Sequence, residues 1–259
     1  MARIYTILNQ KGGVGKTTSA INLGAYLAQF GQRVLLVDID PQANATSCLG
    51  IDKRSVENGT YQALLNVEEN AQDSILHNER LKLSLLPASP DLTGAEVELI
   101  NLLQREMRLR MVIDKIQQRY DYILIDCPPS LGLLTLNGMI AAKDGLIIPV
   151  QCEYLALEGI SQLVQTIERV RSVVFPDLTV RGVLLTMYDP RTNLSKDVES
   201  EVRKYFPEKT FKSVIPRSVR LAEAPSYGLP IHAYQPSSPG AVAYEALAKE
   251  VLEGDGGKF

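Results

Sequence analysis

Two lysines, a threonine and three aspartates are the residues of this chain whose types and spacing could act together on a phosphate group. The stretch Asn9-Gln10-Lys11-Gly12-Gly13-Val14-Gly15-Lys16-Thr17-Thr18 follows an apolar run, Arg3 to Leu8, and precedes Ser19 to Phe30, which reads as a helix. A strand, a glycine-rich turn and a helix opening on Gly-Lys-Thr make a phosphate cradle, because backbone N–H groups converge there and the helix N-terminus adds positive potential. Lys16 would reach the β- and γ-phosphates, and Thr17 would offer its hydroxyl to Mg²⁺. The common pattern G-x-x-x-x-G-K-[ST] has glycine where this chain has Gln10, and Lys11 is a second lysine inside the loop. Lys11 reads equally as a solvated loop lysine or as extra positive charge for phosphoryl transfer.

The aspartates stand at the ends of apolar runs. Arg33 to Val37 is a short buried strand ending in Asp38-Ile39-Asp40, and Tyr122 to Ile125 is another ending in Asp126. Open α/β sheets bind ligands beyond the carboxyl ends of their strands, so one site can collect all three with the loop. Phosphoryl transfer asks for positioning and charge compensation. Asp126 suits a partner of Mg²⁺, and either Asp38 or Asp40 can orient the attacking water.

These residues must be carried by a regular framework, and the rest of the chain supplies one. Further strands are expected at Leu81–Leu86, Gly145–Val150, Val180–Met187 and near Phe211–Ile215. Helices are expected at Leu133–Ala142, Leu155–Val174, Asp197–Tyr205 and Ala241–Leu252, with Gly50–Gln72 irregular. Apolar residues at Val97, Ile100, Leu103, Met107, Met111 and Ile116 predict one amphipathic helix over Glu96–Tyr120. Alternating strands and helices predict an α/β fold, a mostly parallel twisted sheet with helices on both faces. One domain is expected over residues 1–253, followed by a disordered tail at 254–259.

Composition excludes several classes. With 259 residues, 45% hydrophobic and 22% charged, the chain can bury a substantial core. A net charge of -3 argues against a protein that is basic all over, so any nucleic-acid contact needs a local patch. Cys48, Cys127 and Cys152 lack the spacing of a metal site or disulfide framework. No run approaches the roughly 18 apolar residues of a membrane span, and no signal peptide is apparent, so a cytoplasmic location is expected.

Lys11-Gly12-Gly13-Val14-Gly15-Lys16-Thr17-Thr18 is the deviant Walker A form of the P-loop. Together with Val37-Asp38-Ile39-Asp40-Pro41-Gln42-Ala43-Asn44, Ile125-Asp126-Cys127-Pro128-Pro129-Ser130 and Pro149-Val150-Gln151-Cys152-Glu153-Tyr154, it makes the chain resemble the ParA/Soj partitioning ATPases, from residue 3 to about 252. The resemblance implies an ATP- and Mg²⁺-dependent homodimer with two nucleotides sandwiched between subunits, Lys11 of each reaching the phosphates bound by the other. It implies that Lys16 serves ATP binding, Asp40 hydrolysis and Gly12 the close approach of the subunits, which leaves Asp38 to support the Mg²⁺ shell with Thr17 and Asp126. Adenine is then expected between the loops at Met187 and Pro216.

Between Arg203 and Arg220 the basic residues Arg203, Lys204, Lys209, Lys212, Arg217 and Arg220 are opposed only by Glu208. The resemblance implies sequence-independent binding of double-stranded DNA through Arg191 and Arg220, with Arg217 and Lys204 as weaker additions, and hence nucleoid association. It further implies a ParB-type partner that stimulates hydrolysis. Three other readings stand beside this one: a membrane-associated division-site protein of the MinD type, an iron–sulfur protein of the nitrogenase type, and an NTPase with another client.

Overall fold

Short runs rich in Val, Ile and Leu, with no polar side to turn to water, form strands buried on both faces of a sheet. The computed structural model describes residues 1–154 and 156–257, without the side chains at 157 and 158. Its strands are β1 (Arg3–Ile7), β2 (Val34–Asp38), β3 (Leu76–Asn78), β4 (Leu83–Leu86), β5 (Tyr122–Asp126), β6 (Gly145–Gln151), β7 (Val180–Tyr188) and β8 (Thr210–Pro216). They make one sheet in the order β3-β4-β2-β5-β1-β6-β7-β8, parallel except for the antiparallel edge strand β3. The helices are α1 (Lys16–Gln29), α2 (Asn44–Cys48), α3 (Thr60–Leu65), α4 (Leu92–Leu99), α5 (Arg108–Ile116), α6 (Leu133–Ala141), α7 (Ala156–Val173), α8 (Asn193–Tyr205), α9 (Val219–Glu223), α10 (Ile231–Tyr234) and α11 (Pro239–Gly254).

Alternate side chains feed two cores. Ile4, Leu35 and Ile123 face the core shared with α4 to α7. Tyr5, Leu36 and Leu124 face the one shared with α1 and α11. Because the central strands are parallel, their carboxyl ends lie along one edge. Asp38 pairs with Asp126 and Asp126 with Ile7 in register, so the phosphate loop leaves β1 directly beside both carboxylates.

Three expectations are corrected. The single helix over Glu96–Tyr120 is two, α4 and α5, parted at residues 100–107, where Gln104 takes a φ of 53°. Side chains capture the carbonyls that a continuous helix would use: Arg105 donates to Ile100 O, and Asn137 to Arg105 O. Val97, Ile100, Leu103 and Met107, four of the six residues of the stripe that suggested one helix, stand exposed. Helix α8 starts four residues before Asp197, because the Thr192 hydroxyl accepts the Ser195 N–H and caps it there. The expected tail is ordered through Gly257. The Asp255 carboxylate accepts from Tyr5 (2.7 Å), Tyr122 (3.0 Å) and Arg181 (3.2 Å), tying the end of α11 to β1, β5 and β7. Residues 258 and 259 and the expected start of α7 at Leu155 lie outside the described residues.

Candidate nucleotide site and basic edge

Gly13 and Gly15 hold φ values of 74° and 89°, left-handed conformations that side chains resist, and these two turns wrap the loop in front of α1. Gly15 occupies the N-cap of α1 and provides no side-chain cap, which leaves the first N–H groups of the helix for a ligand. Asn9 fixes the loop's entry by donating to Pro149 O (2.7 Å) and accepting the Lys11 N–H (3.0 Å). Thr186 on β7 fixes its crown by donating to Val14 O (2.9 Å). Lys16 folds back so that its ammonium donates to Lys11 O (3.1 Å). Burial lowers its pKa, while Asp126 and then Cys127 and Asp40 oppose that shift.

At the centre, Thr17 donates its hydroxyl to Asp126 Oδ2 (2.7 Å), while Asp126 Oδ1 is buried with no hydrogen-bond partner. Burial, and next the charge of Asp38, push the Asp126 carboxyl well above the usual carboxylate range. A buried carboxylate oxygen without a donor, beside a threonine hydroxyl and at the foot of a phosphate loop, fits a divalent cation. Among the described residues no three His, Cys, Asp or Glu side chains form a cation cage. That too fits Mg²⁺, which keeps waters and takes phosphate oxygens alongside one or two protein ligands.

Asp38 differs from Asp126. Both its oxygens are satisfied: Oδ1 accepts the Asp40 N–H (3.1 Å), and Oδ2 accepts the Thr46 N–H (2.9 Å) and hydroxyl (2.7 Å). Burial raises its pKa to about 6 against the lowering effect of these bonds. The Thr46 hydroxyl also accepts the Ala88 N–H (2.9 Å), and Thr60 donates to Asp38 O (2.7 Å). Asp38 therefore anchors the turn that carries Asp40. Asp40 is itself held by the Gln42 N–H (2.9 Å), ahead of Ala43 at a φ of 50°. Thr46 and Thr60 were not legible as site residues, since neither belongs to a motif and they meet Asp38 across 8 and 22 positions.

Met187 and Pro216 line one cavity of about 290 Å³, with Gly15 and Thr18 at its loop end and Tyr244 at its back. Met187 has a φ of 52°, an uncommon conformation for a side chain of its size. Tyr244 on α11 is buried and shares a hydrogen bond with Ser19 on α1 (3.0 Å), a support for this cavity with no sequence signature.

The basic edge lies beside this cavity. Arg217 donates its N–H to Tyr188 O (3.0 Å), which brings its loop against the one carrying Arg191. Arg220 follows on α9. Lys204 is near the far end of α8, about 16 Å along the axis from the start of that helix at the usual helical rise. Each of these cations has a carboxylate at hand: Arg191 Asp189 (2.6 Å), Arg220 Glu223 (2.7 Å), Lys204 Glu201 (2.6 Å) and Arg217 Glu153 (3.5 Å).

Two alternatives lose ground on the same geometry. The apolar side of α11, Tyr244, Leu247, Val251 and Leu252, is packed in the core and not free to lie on lipid. Cys127 and Cys152 are buried, whereas a cluster shared across a dimer needs cysteines at the surface. No helix among the described residues is long and apolar enough to cross a membrane.

A family model described as an AAA domain matches residues 2–180. The chain is 55% identical over 251 residues to the sporulation initiation inhibitor protein Soj of Bacillus subtilis, covering 97% of this chain and 98% of that one. It is 52% identical to the chromosome partitioning protein ParA of Myxococcus xanthus, covering 98% and 89%. Among solved structures, cobyrinic acid a,c-diamide synthase from Mycobacterium smegmatis with bound ADP and magnesium is 38% identical, with a TM-score of 0.84 over 96% of this chain and 93% of that one.

Proposed function

This chain belongs to the ParA/Soj family of partitioning ATPases, and from that premise we propose that it is an ATP-driven switch for DNA partitioning. ATP binding brings two subunits together over their nucleotides, the dimer holds double-stranded DNA without regard to sequence, and hydrolysis stimulated by a ParB-type partner releases it. The observation that carries this reading is the convergence of Lys16, Thr17 and the unpartnered oxygen of Asp126 at the strand ends beside the phosphate loop.

Each residue has a part that its surroundings support. The N–H groups of the loop and the Lys16 ammonium hold the phosphates, and the M. smegmatis relative with its ADP and magnesium supports ATP and Mg²⁺ as the ligands here. Thr17 and Asp126 hold the cation, which supplies charge neutralisation on the phosphates. Asp38, with both oxygens occupied by donors, fixes the turn, and Asp40 at that turn orients the attacking water. Lys11 completes the site of the opposing subunit. Met187 and Pro216 receive the adenine.

Dimerisation doubles the edge formed by Arg191, Arg217 and Arg220, so ATP controls DNA affinity through valency. Contacts of this kind fall on phosphates and weaken steeply with salt. The reading is tested by Mg²⁺-dependent ATP turnover with DNA and partner, separately and together, in wild type and Asp40→Ala. The wild type is expected to be slow alone and stimulated by both, and the variant to bind ATP without turnover. Normal turnover by the variant would remove Asp40 from its assigned role.

A further inference from the structure

Gln10, which replaces the common glycine, donates its side-chain amide to Gly159 O (3.0 Å) and Gln162 Oε1 (3.0 Å) on α7. The next residue is tied to the same region: the Lys11 ammonium lies 3.4 Å from Glu153 Oε2. Two successive loop residues thus fasten the front of the phosphate loop to α7 and to the connection that precedes it. The other oxygen of Glu153 accepts the Gln151 amide and lies 3.5 Å from the Arg217 guanidinium. One partly exposed carboxylate therefore stands between the lysine of the loop and an arginine of the basic edge.

We propose that Glu153 is a positioning residue for Lys11, keeping its ammonium within its own subunit until nucleotide draws it away. This rests on the reading in which Lys11 serves the opposing subunit. Lys11 must leave Glu153 to cross an interface, so the pair opposes dimerisation. Arg217 competes for the same carboxylate, so its presence loosens the hold. The carboxylate also stands against Arg217 as a phosphate ligand, and so restrains both ATP-dependent pairing and DNA contact at that residue.

The test is sedimentation equilibrium with Mg²⁺ and a non-hydrolysable ATP analogue, on wild type, Glu153→Gln, Arg217→Ala and the double variant. Glutamine keeps the size and the hydrogen-bond acceptor and removes the charge. Glu153→Gln is expected to lower the protein concentration at half-dimerisation by about 2- to 30-fold, because each dimer releases two partly exposed ion pairs. That difference should shrink as salt rises from about 0.05 to about 0.5 M. Arg217→Ala is expected to raise the midpoint when Glu153 is present and leave it unmoved when residue 153 is glutamine, a dependence that a purely structural role for Glu153 does not give. Unchanged or weaker dimerisation of Glu153→Gln, or an equal effect of Arg217→Ala in both backgrounds, would overturn the proposal. A wild type that stays monomeric with the analogue would instead overturn the two-subunit reading beneath it.

Discussion

At the scale of single residues, Asp38 and Asp126 occupy matching positions on neighbouring strands and have different chemistry because their donors differ. Asp126 has the Thr17 hydroxyl on one oxygen and nothing on the other. Replacing Thr17 with valine removes that donor and a cation ligand together, and is expected to weaken Mg²⁺-dependent ATP binding roughly 10–100-fold, with little effect on binding measured in chelator. Titration calorimetry with and without Mg²⁺ checks this. Asp38 gives a pH dependence. Its pKa is raised from 3.8 to about 6, so between those values the folded state holds more protons than the unfolded one, and stability falls as pH rises through the window. Asp126 is raised too and adds in the same direction. In chelator, Asp38→Asn is expected to flatten that part of the stability profile measured by urea unfolding; a slope equal to wild type would contradict the assignment. Lys16, Thr17 and Asp126 were legible because a motif and strand ends mark them. The donors to Asp38 were not, since neither Thr46 nor Thr60 belongs to a spacing rule, and Glu153 meets Lys11 across 142 positions.

At the scale of elements, local pattern failed where distant side chains decided the outcome. The stripe over Glu96–Tyr120 has helical spacing, but carbonyls at Ile100 and Arg105 are taken by Arg105 and Asn137, and the segment divides. The glycines around Asp255 suggested a loose end, but the carboxylate finds two tyrosines and an arginine on three strands far away in sequence. Asp255→Ala is therefore expected to destabilise the fold by about 2–4 kcal/mol, mostly by leaving the half-buried Arg181 without its carboxylate. Tyr122→Phe, which removes one of the bonds, should cost about 1 kcal/mol. Urea titrations compare the two; equal, negligible losses would mean that the end of α11 is not held as described. Because α11 also backs the cavity lined by Met187 and Pro216 through Tyr244, Asp255→Ala should weaken nucleotide binding as well as stability if that cavity takes the base as proposed.

At the scale of the molecule, a parallel sheet places the ends of β1, β2, β5, β7 and β8 along one edge, so phosphate loop, carboxylates, the cavity lined by Met187 and Pro216, and basic loops become neighbours. That much followed from alternating strands and helices. The balance of charge on the edge did not, because acidic partners such as Asp189 and Glu223 sit next to the arginines and carry no signal of their own. Arg191→Ala with Arg220→Ala is expected to remove ATP-dependent DNA retention in a low-salt gel shift while dimerisation persists; retention like wild type would show that DNA is held elsewhere.

The central claim is that one loop serves two subunits, and Gly12 tests it most directly. A Cβ at Gly12 meets nothing in its own subunit nearer than Pro129 Cβ at 4.0 Å, so the single chain has room for a side chain there. Sedimentation of wild type, Lys16→Ala and Gly12→Val with Mg²⁺ and a non-hydrolysable ATP analogue, with nucleotide binding measured on the same samples, separates the two roles. A wild-type dimer, a Lys16→Ala protein that binds no nucleotide, and a Gly12→Val protein that binds nucleotide and stays monomeric are expected. A Gly12→Val protein that dimerises like wild type, or that fails to bind nucleotide at all, would contradict the claim.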